Sequence, residues 1–288
     1  MREITMKKII LLSLILILIP CAMLLAVFDD YQPSARARGM GGAFTGVADD
    51  FNTMFYNPAG LADTKYGAKI GFSRLNGQRF TEFKTLALGF QLPKRLGTLG
   101  AGIRMMDVDY EDYTLYIDQI FTLAHAFTLQ KDIHSTINIG YNLNYYGLRF
   151  DDDNDTDDAF GLDLGLTALL HNRTKLGFAV TNLSKSKMGF ENQIVLPSKL
   201  ALGISYIPYD GVTTTVEVKK DFAQTTEFMG GVEAKLFEPF YIRAGVHQNP
   251  ATYSAGATFE LEGVSLDYSY TMHSVLPPTH FINLGYNF

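Results

Sequence analysis

The sequence predicts an all-β fold, a transmembrane antiparallel β-barrel of about 14 strands, and three observations lead to that prediction. Apolar and polar residues alternate along the chain from residue 66 onward. The alternating segments are about ten residues long, the length that a tilted strand needs to cross a bilayer. Tight turns and longer polar loops alternate between these segments, as they do in outer-membrane barrels.

The composition excludes several other classes of protein. The 288 residues are 47% hydrophobic and 19% charged, and they include 26 Gly, 16 Tyr, 21 Phe and a single Cys. Such a chain is neither disordered nor held together by disulfide bonds. The formal net charge of -6 has the wrong sign for a protein that neutralises phosphates, so nucleic acid is not an expected partner.

The N-terminus has the layout of a secretory signal peptide. Two lysines precede the apolar run 9–19, and Ala26 ends a stretch of small residues that suits cleavage. We therefore predict that residues 1–26 are a signal peptide. Two alternatives remain open, namely an uncleaved membrane helix that extends to Phe28 and, more weakly, a lipid anchor on Cys21.

Beyond this segment, no apolar run is long enough to cross a bilayer as a helix, so a chain in a membrane must form a closed barrel. The alternation is clearest in 133–145, where the odd positions are mostly apolar and the even positions are His, Thr, Asn and Gly. Segments 251–262 and 263–273 repeat it. The same pattern predicts strands near residues 66–75, 81–92, 97–108, 116–130, 133–149, 159–170, 174–183, 198–207, 211–221, 226–236, 239–247, 251–261, 263–273 and 279–288.

The connections favour an outer-membrane barrel over a soluble β-sandwich, the main alternative. Tight turns such as 93–96 and 208–210 follow the even-numbered strands, whereas long polar loops are expected at 109–115, 150–158 and 184–197. The polar faces carry Gly, Asn, Thr and Ser, whereas a soluble sheet usually presents Lys and Glu to water. The chain also ends in an amphipathic strand with an aromatic last residue, which resembles the signal that the outer-membrane assembly machinery reads.

Residues 34–62 do not alternate and are not predicted to be part of the wall. Asp49 or Asp50 can cap a short helix that runs to about Tyr56, and the Asn-Pro-Ala-Gly stretch 57–60 is expected to end it.

Three short motifs in this segment suggest a family. They are Gly-Met-Gly-Gly-Ala at 39–43, Val-Ala-Asp-Asp at 47–50 and Asn-Pro-Ala-Gly-Leu-Ala at 57–62. Together they resemble the N-terminal signature of the PorV/PorQ group within the FadL-like outer-membrane proteins. Residues 263–288 resemble the C-terminal pair of strands of the same group.

The resemblance implies a 14-stranded barrel in the bacterial cell outer membrane, with a small N-terminal hatch in its lumen. The expected organisation is a signal peptide at 1–26, a hatch segment at 27–65 and the barrel at 66–288. Pairing of the hatch arginines with its aspartates is the alternative to binding of an anionic group. The candidate binding residues of the hatch are Arg36, Arg38, Gly39, Gly41, Gly42, Asp49, Asp50, Asn57, Pro58 and Ala59.

The same resemblance leaves two main functions open. PorV-type members receive secreted cargo proteins, and we predict a PorV-like partner in protein secretion or surface assembly as the leading function. FadL-type members pass hydrophobic compounds, so a channel for small hydrophobic molecules is the alternative, and a purely structural barrel is a third. The expected partners are outer-membrane lipids, lipopolysaccharide, secretion-system components or secreted cargo, and a hydrophobic small molecule.

Other motifs do not predict an enzyme, a cofactor or a metal site. The glycines at 39–42 follow no strand, and Phe44 stands where a dinucleotide loop needs its third Gly. The aspartates at 151–157 alternate as in a calcium loop, but Thr156 and Leu162 replace the required Gly and Glu. We interpret them as a solvated acidic loop. The six His have no metalloprotease spacing.

Overall fold

The computed structural model describes residues 32–93, 95–110, 113–150, 156–189, 193–222 and 225–288. The predicted signal peptide lies outside these residues, and so does the acidic stretch 151–155. Among the residues described, no helix is long and apolar enough to cross a membrane.

Fourteen strands form one closed barrel in which each strand is antiparallel to both neighbours, and the first strand closes on the last. The wall consists of β1 Tyr66–Arg74, β2 Thr81–Gln91, β3 Thr98–Tyr110, β4 Tyr113–Lys131, β5 Ser135–Phe150, β6 Thr156–Leu170, β7 Thr174–Thr181, β10 Lys199–Tyr209, β11 Val212–Asp221, β12 Thr226–Phe237, β13 Phe240–Gln248, β14 Thr252–Leu261, β15 Val264–His273 and β16 Thr279–Asn287. The short strands β8 Lys187–Met188 and β9 Ile194–Val195 pair only with each other.

The wall confirms the predicted fold class and strand count, with small shifts at the strand ends. One predicted loop is wrong. Residues 109–115 were expected to form a long polar loop, but β3 extends to Tyr110 and β4 begins at Tyr113, and these two residues are paired. Tyr and Val alternate with the acidic residues here, and their preference for extended structure lengthens the hairpin.

Burial follows the predicted alternation. On β5, the amides Asn138, Asn142 and Asn144 are buried inside the barrel, whereas Tyr141 and Leu143 are exposed on the outer surface. The apolar side chains therefore face the lipid, and the polar side chains face the lumen.

Aromatic side chains mark the outer surface near the long-loop rim. Phe121, Tyr145 and Phe160 lie side by side on β4, β5 and β6, with ring centroids 6.2 and 5.2 Å apart. Such a row is typical of the aromatic girdle at a membrane interface. Since β4 continues toward the long-loop rim beyond Phe121, the hairpins on this side rise above the girdle.

The chain before β1 folds inside the barrel, and we call its described residues 32–64 the hatch. It contains one α-helix, α1 Ala35–Gly39, and two 3-10 helices, Phe51–Phe55 and Pro58–Asp63. The sequence predicted only the first of the 3-10 helices, capped here by Asp50, whose carboxylate accepts a hydrogen bond from the Asn52 N–H at 2.9 Å.

The expectation that the stretch 57–60 ends the helix is wrong in part, because a second helix begins there. The Asn57 side chain accepts a hydrogen bond from the Ala59 N–H, and Pro58 occupies the first helical position, where a missing N–H costs nothing.

Candidate functional site

The hatch fills the lumen nearer the short-turn rim, and it contacts every strand of the wall. Much of this contact passes through a belt of wall glycines, at which an added Cβ would meet hatch atoms. At Gly140, for example, the added atom would lie 2.5 Å from the Ala59 nitrogen. The glycine belt consists of Gly67, Gly89, Gly100, Gly102, Gly140, Gly165, Gly177, Gly203, Gly231, Gly245 and Gly256.

The predicted glycines of the hatch also serve close packing. Gly41 and Gly42 have φ angles of +68° and +88°, which favour glycine, and they turn the chain after α1. A Cβ on Gly39 would lie 3.3 Å from the Cα of Gly256 on β14. These residues hold the hatch backbone against the wall.

The Asn-Pro-Ala motif joins the hatch to the wall. Asn57 is fully buried, and its amide nitrogen donates to the Thr45 carbonyl at 3.0 Å and to the Leu166 carbonyl of β6 at 3.1 Å. Pro58 and Ala59 pack against Gly140 of the glycine belt. The motif is therefore buried and does not face open space.

Arg36 begins a network of charges that links the hatch to the wall. Its guanidinium lies 2.5 Å from the Asp49 carboxylate and 2.8 Å from the Glu233 carboxylate on β12. Burial lowers the pKa of Arg36, but these two carboxylates raise it well above the ordinary value. Arg36 is thus a permanent cation, and its pairing with Asp49 confirms the alternative that the sequence left open.

The network continues along the inner face of the wall. Arg243 on β13 binds Glu233 and donates to the Thr258 hydroxyl at 2.6 Å. Thr258 in turn donates to Asp267 on β15. Lys69 on β1 completes the ring, because its ammonium lies 3.0 Å from Asp267.

The ammonium of Lys69 also lies 2.9 Å from the Asp50 carboxylate, so the network returns to the hatch. The charged wall members of the network, Lys69, Glu233, Arg243 and Asp267, were not predicted from the sequence as site residues. The signal was nevertheless present, because each of them occupies a position on the polar, lumen-facing side of an alternating strand.

A cavity of about 460 Å³ lies beside this network, between the hatch and the wall. Residues at the ends of strands line its outer part, including Tyr66, Tyr241, Glu260 and Asn287. Because these positions flank the tight turns, the cavity opens at the short-turn rim.

Only three of the predicted binding residues line this cavity, namely Arg36, Asp49 and Asp50. Arg38 donates from Nε to the Gln32 carbonyl at 2.7 Å, and its guanidinium lies 5.1 Å from the ring centre of Phe281. The other predicted residues are packing or capping groups of the hatch.

The opposite half of the lumen, toward the long-loop rim, carries an unusual inner surface. Five apolar side chains from neighbouring strands point inward there and are almost fully buried. We call them the apolar patch: Phe83, Met106, Val108, Ile120 and Phe281. Phe83 and Phe281 meet edge to face, with ring centroids 5.9 Å apart. An apolar inner surface departs from the polar lumen usual for such barrels.

In the part of the chain that the structure describes, no group of three His, Cys, Asp or Glu side chains is placed to hold a metal ion.

The fold resembles solved membrane channels. The CymD monoaromatic hydrocarbon channel superimposes with a TM-score of 0.67 at 14% identity, over 91% of this chain and 99% of that one. The Pseudomonas putida toluene transporter TodX gives 0.56 at 12% identity, over 90% and 98% of the chains. A Pseudomonas aeruginosa FadL homologue gives 0.60 at 12% identity, over 91% and 100%.

At these identities the likeness shows the fold alone. No protein-family model and no curated protein sequence matches the chain. The chain shares the closed 14-stranded barrel of these structures, and its apolar outer face is that of a barrel that spans a membrane.

Proposed function

We propose that the protein is a channel for the uptake or export of small hydrophobic molecules across the outer membrane. The apolar patch is the observation that carries this proposal, because a lumen built only for polar solutes has no need of inward Phe, Met and Ile side chains. The fold shared with proteins described as hydrocarbon channels and a toluene transporter supports it.

In this proposal the hatch controls passage. It fills the lumen between the cavity and the apolar patch, so a solute passes only when the hatch shifts. The ten candidate residues of the hatch then hold the closed position, through packing, capping and the ion pairs of Arg36. Residues 1–26, 27–65 and 66–288 serve as signal peptide, hatch segment and barrel.

A PorV-like role in protein secretion is the second candidate. The motifs at 39–43, 47–50 and 57–62 favour it, because they resemble the PorV/PorQ signature. The solved structures of similar fold favour the channel, since they include a monoaromatic hydrocarbon channel and a toluene transporter. We therefore place the channel first.

Uptake of labelled toluene by whole cells tests the proposal. Cells that carry the barrel should accumulate toluene faster than cells with an empty vector. Met106→Asn should slow uptake at least about fivefold, because removing a Met side chain from the apolar patch costs roughly 1 kcal/mol of apolar contact.

Met229→Asn is the matched control. Met229 is also buried and inward-facing, but it lies on β12, on the opposite side of the barrel from the apolar patch. Cells that carry Met229→Asn should take up toluene at nearly the rate of cells that carry the unmodified protein. Equal uptake with and without the barrel would contradict the channel, and co-purification of a secreted cargo protein would then support the second candidate.

A further inference from the structure

The cavity at the short-turn rim carries an excess of negative charge. Four cationic and six anionic side chains line it, and Lys175, which is not part of the lining, lies 2.8 Å from the Asp63 carboxylate. With Lys175 counted, the formal excess is one negative charge. The cations are Arg36, Lys65, Lys69 and Arg243, and the anions are Asp49, Asp50, Asp63, Glu233, Glu260 and Asp267.

Most of the cations in this cavity are already occupied. Arg36 and Lys69 each bind two carboxylates, and Arg243 binds Glu233 and Thr258. An incoming anion would have to displace a carboxylate that already binds the cation, and would leave that carboxylate without its partner. Lys65 differs, because it is exposed and makes no ion pair with any residue that the structure describes.

The accessible anions lie at the outer part of the cavity. The Asp49 side chain is 45% exposed, although Arg36 binds it. Glu260 is exposed and makes no ion pair within the described residues. A cleft lined by an excess of one charge focuses the field and raises the local concentration of ions of the other sign.

We infer that this cavity discriminates by charge, so that the channel admits neutral and cationic hydrophobic molecules and excludes anionic ones. The inference rests on the proposed channel function and names its substrate class. The negative excess comes from the network, in which the three cations Arg36, Lys69 and Arg243 face the four carboxylates of Asp49, Asp50, Glu233 and Asp267. Glu260 and Lys65 modify the discrimination with opposite signs, because neither makes an ion pair within the described residues.

A competition assay with three aromatic congeners tests the inference. Ethylbenzene is neutral, benzylamine is cationic and phenylacetate is anionic at neutral pH. Each is added in increasing amounts to cells that take up labelled toluene. Ethylbenzene and benzylamine should inhibit toluene uptake at similar concentrations. The concentration of phenylacetate that halves toluene uptake should be at least about fivefold higher, as expected for a small charge excess in a partly screened cleft.

Three variants separate the cavity from the rim as a whole. The measured quantity is the ratio of the phenylacetate and benzylamine concentrations that halve toluene uptake, which we call the gap. Glu260→Gln should lower this ratio about twofold or more, and Lys65→Gln should raise it by a similar factor. Glu262→Gln is the matched control, since Glu262 lies in the adjacent turn and does not line the cavity. It should leave the gap unchanged, and all three barrels should remain heat-modifiable.

The outcomes of the two proposals are distinguishable. Calorimetric binding of benzylamine and phenylacetate to the purified barrel measures the discrimination without transport. If toluene uptake fails but benzylamine still binds more tightly than phenylacetate, the channel function is wrong and the charge discrimination stands. Equal competition and binding by both ions, or equal shifts in Glu260→Gln and Glu262→Gln, would overturn the inference.

Discussion

Asn57 shows how much one buried side chain does in the hatch. Its oxygen caps a 3-10 helix, and its nitrogen joins two carbonyls, one in the hatch and one on β6. The Thr45 carbonyl and the Ala59 N–H are buried, so removing the amide leaves these two groups without their partner. No strand of the wall depends on this residue for its ladder of hydrogen bonds.

We expect Asn57→Ala to loosen the hatch and spare the barrel. Loss of the cap costs about 1 kcal/mol, and the unpaired Thr45 carbonyl adds to it. Hydrogen exchange should quicken in residues 43–62 and stay unchanged in peptides from the strands. The double variant Asn57→Ala with Pro58→Ala should still give a heat-modifiable, membrane-inserted barrel, with impaired transport.

Two results would contradict this prediction. Failure of the double variant to insert would mean that the segment belongs to the wall. Full activity together with unchanged hydrogen exchange would mean that the motif has no role in holding the hatch.

The sequence predicted part of the site at this scale. The sequence left open whether the hatch arginines bind an anionic group or pair with Asp49 or Asp50 of the same segment. The structure pairs Arg36 with Asp49. Glu233 joins the same pair from 197 residues away. Without the register of the strands, the alternating pattern places Glu233 on the lumen side but cannot say which lumen-facing partner it meets.

At the scale of the strand, the face assignment determines what a substitution costs. Ile139 and Tyr268 face the lipid, whereas Asn138 and Ser269 face the lumen. Alternation alone predicts that lumen-facing positions tolerate arginine far better than lipid-facing ones. The structure corrects this expectation, because Asn138 and Ser269 are almost fully buried and Asn138 donates to Asp63 of the hatch at 2.8 Å.

A pair of identical substitutions tests the lipid face. Ile139→Arg should destabilise the barrel by about 2 to 4 kcal/mol if the position lies at the membrane midplane. Ile133→Arg, in the exposed turn before β5, should cost about 0 to 1 kcal/mol. Unfolding in urea from lipid vesicles measures both, and equal losses would show that the face assignment is wrong.

The strands could be predicted because each repeats a simple period of two over about ten residues. The helices of the hatch could be predicted only in part. Short 3-10 helices have no long period to detect, and here each one is fixed by a single cap and by its contacts with the wall. The pair β8 and β9 was missed for a similar reason, since each strand has two residues.

At the scale of the whole molecule, the two rims differ. Tight turns follow β2, β4, β6, β10, β12 and β14, and the longer connections lie at the opposite rim. An even number of strands returns the chain to the side on which it began. We therefore predict that both termini are periplasmic and that the connections near 150–158 and 184–197 are at the cell surface.

Protease added to whole cells tests this orientation. Cleavage should occur within 150–158 and 184–197, and the turns at 93–94 and 208–209 should stay intact until the outer membrane is opened. Early cleavage at those turns, with the long connections protected, would reverse the orientation and move the charged cavity to the cell surface.

The contacts of the hatch also have a mechanical consequence. Asn57 bonds to β6, Arg36 to β12 and the Ala35 N–H to Asn283 on β16. The hatch is therefore bonded to the wall in several directions. A hollow cylinder in a bilayer flattens easily under lateral pressure. Here flattening would stretch the bonds between the hatch and the wall along one axis. Along the other axis it would push the wall glycines into the hatch backbone. We therefore expect the hatch to resist flattening of the barrel and to fit only a wall of this circumference.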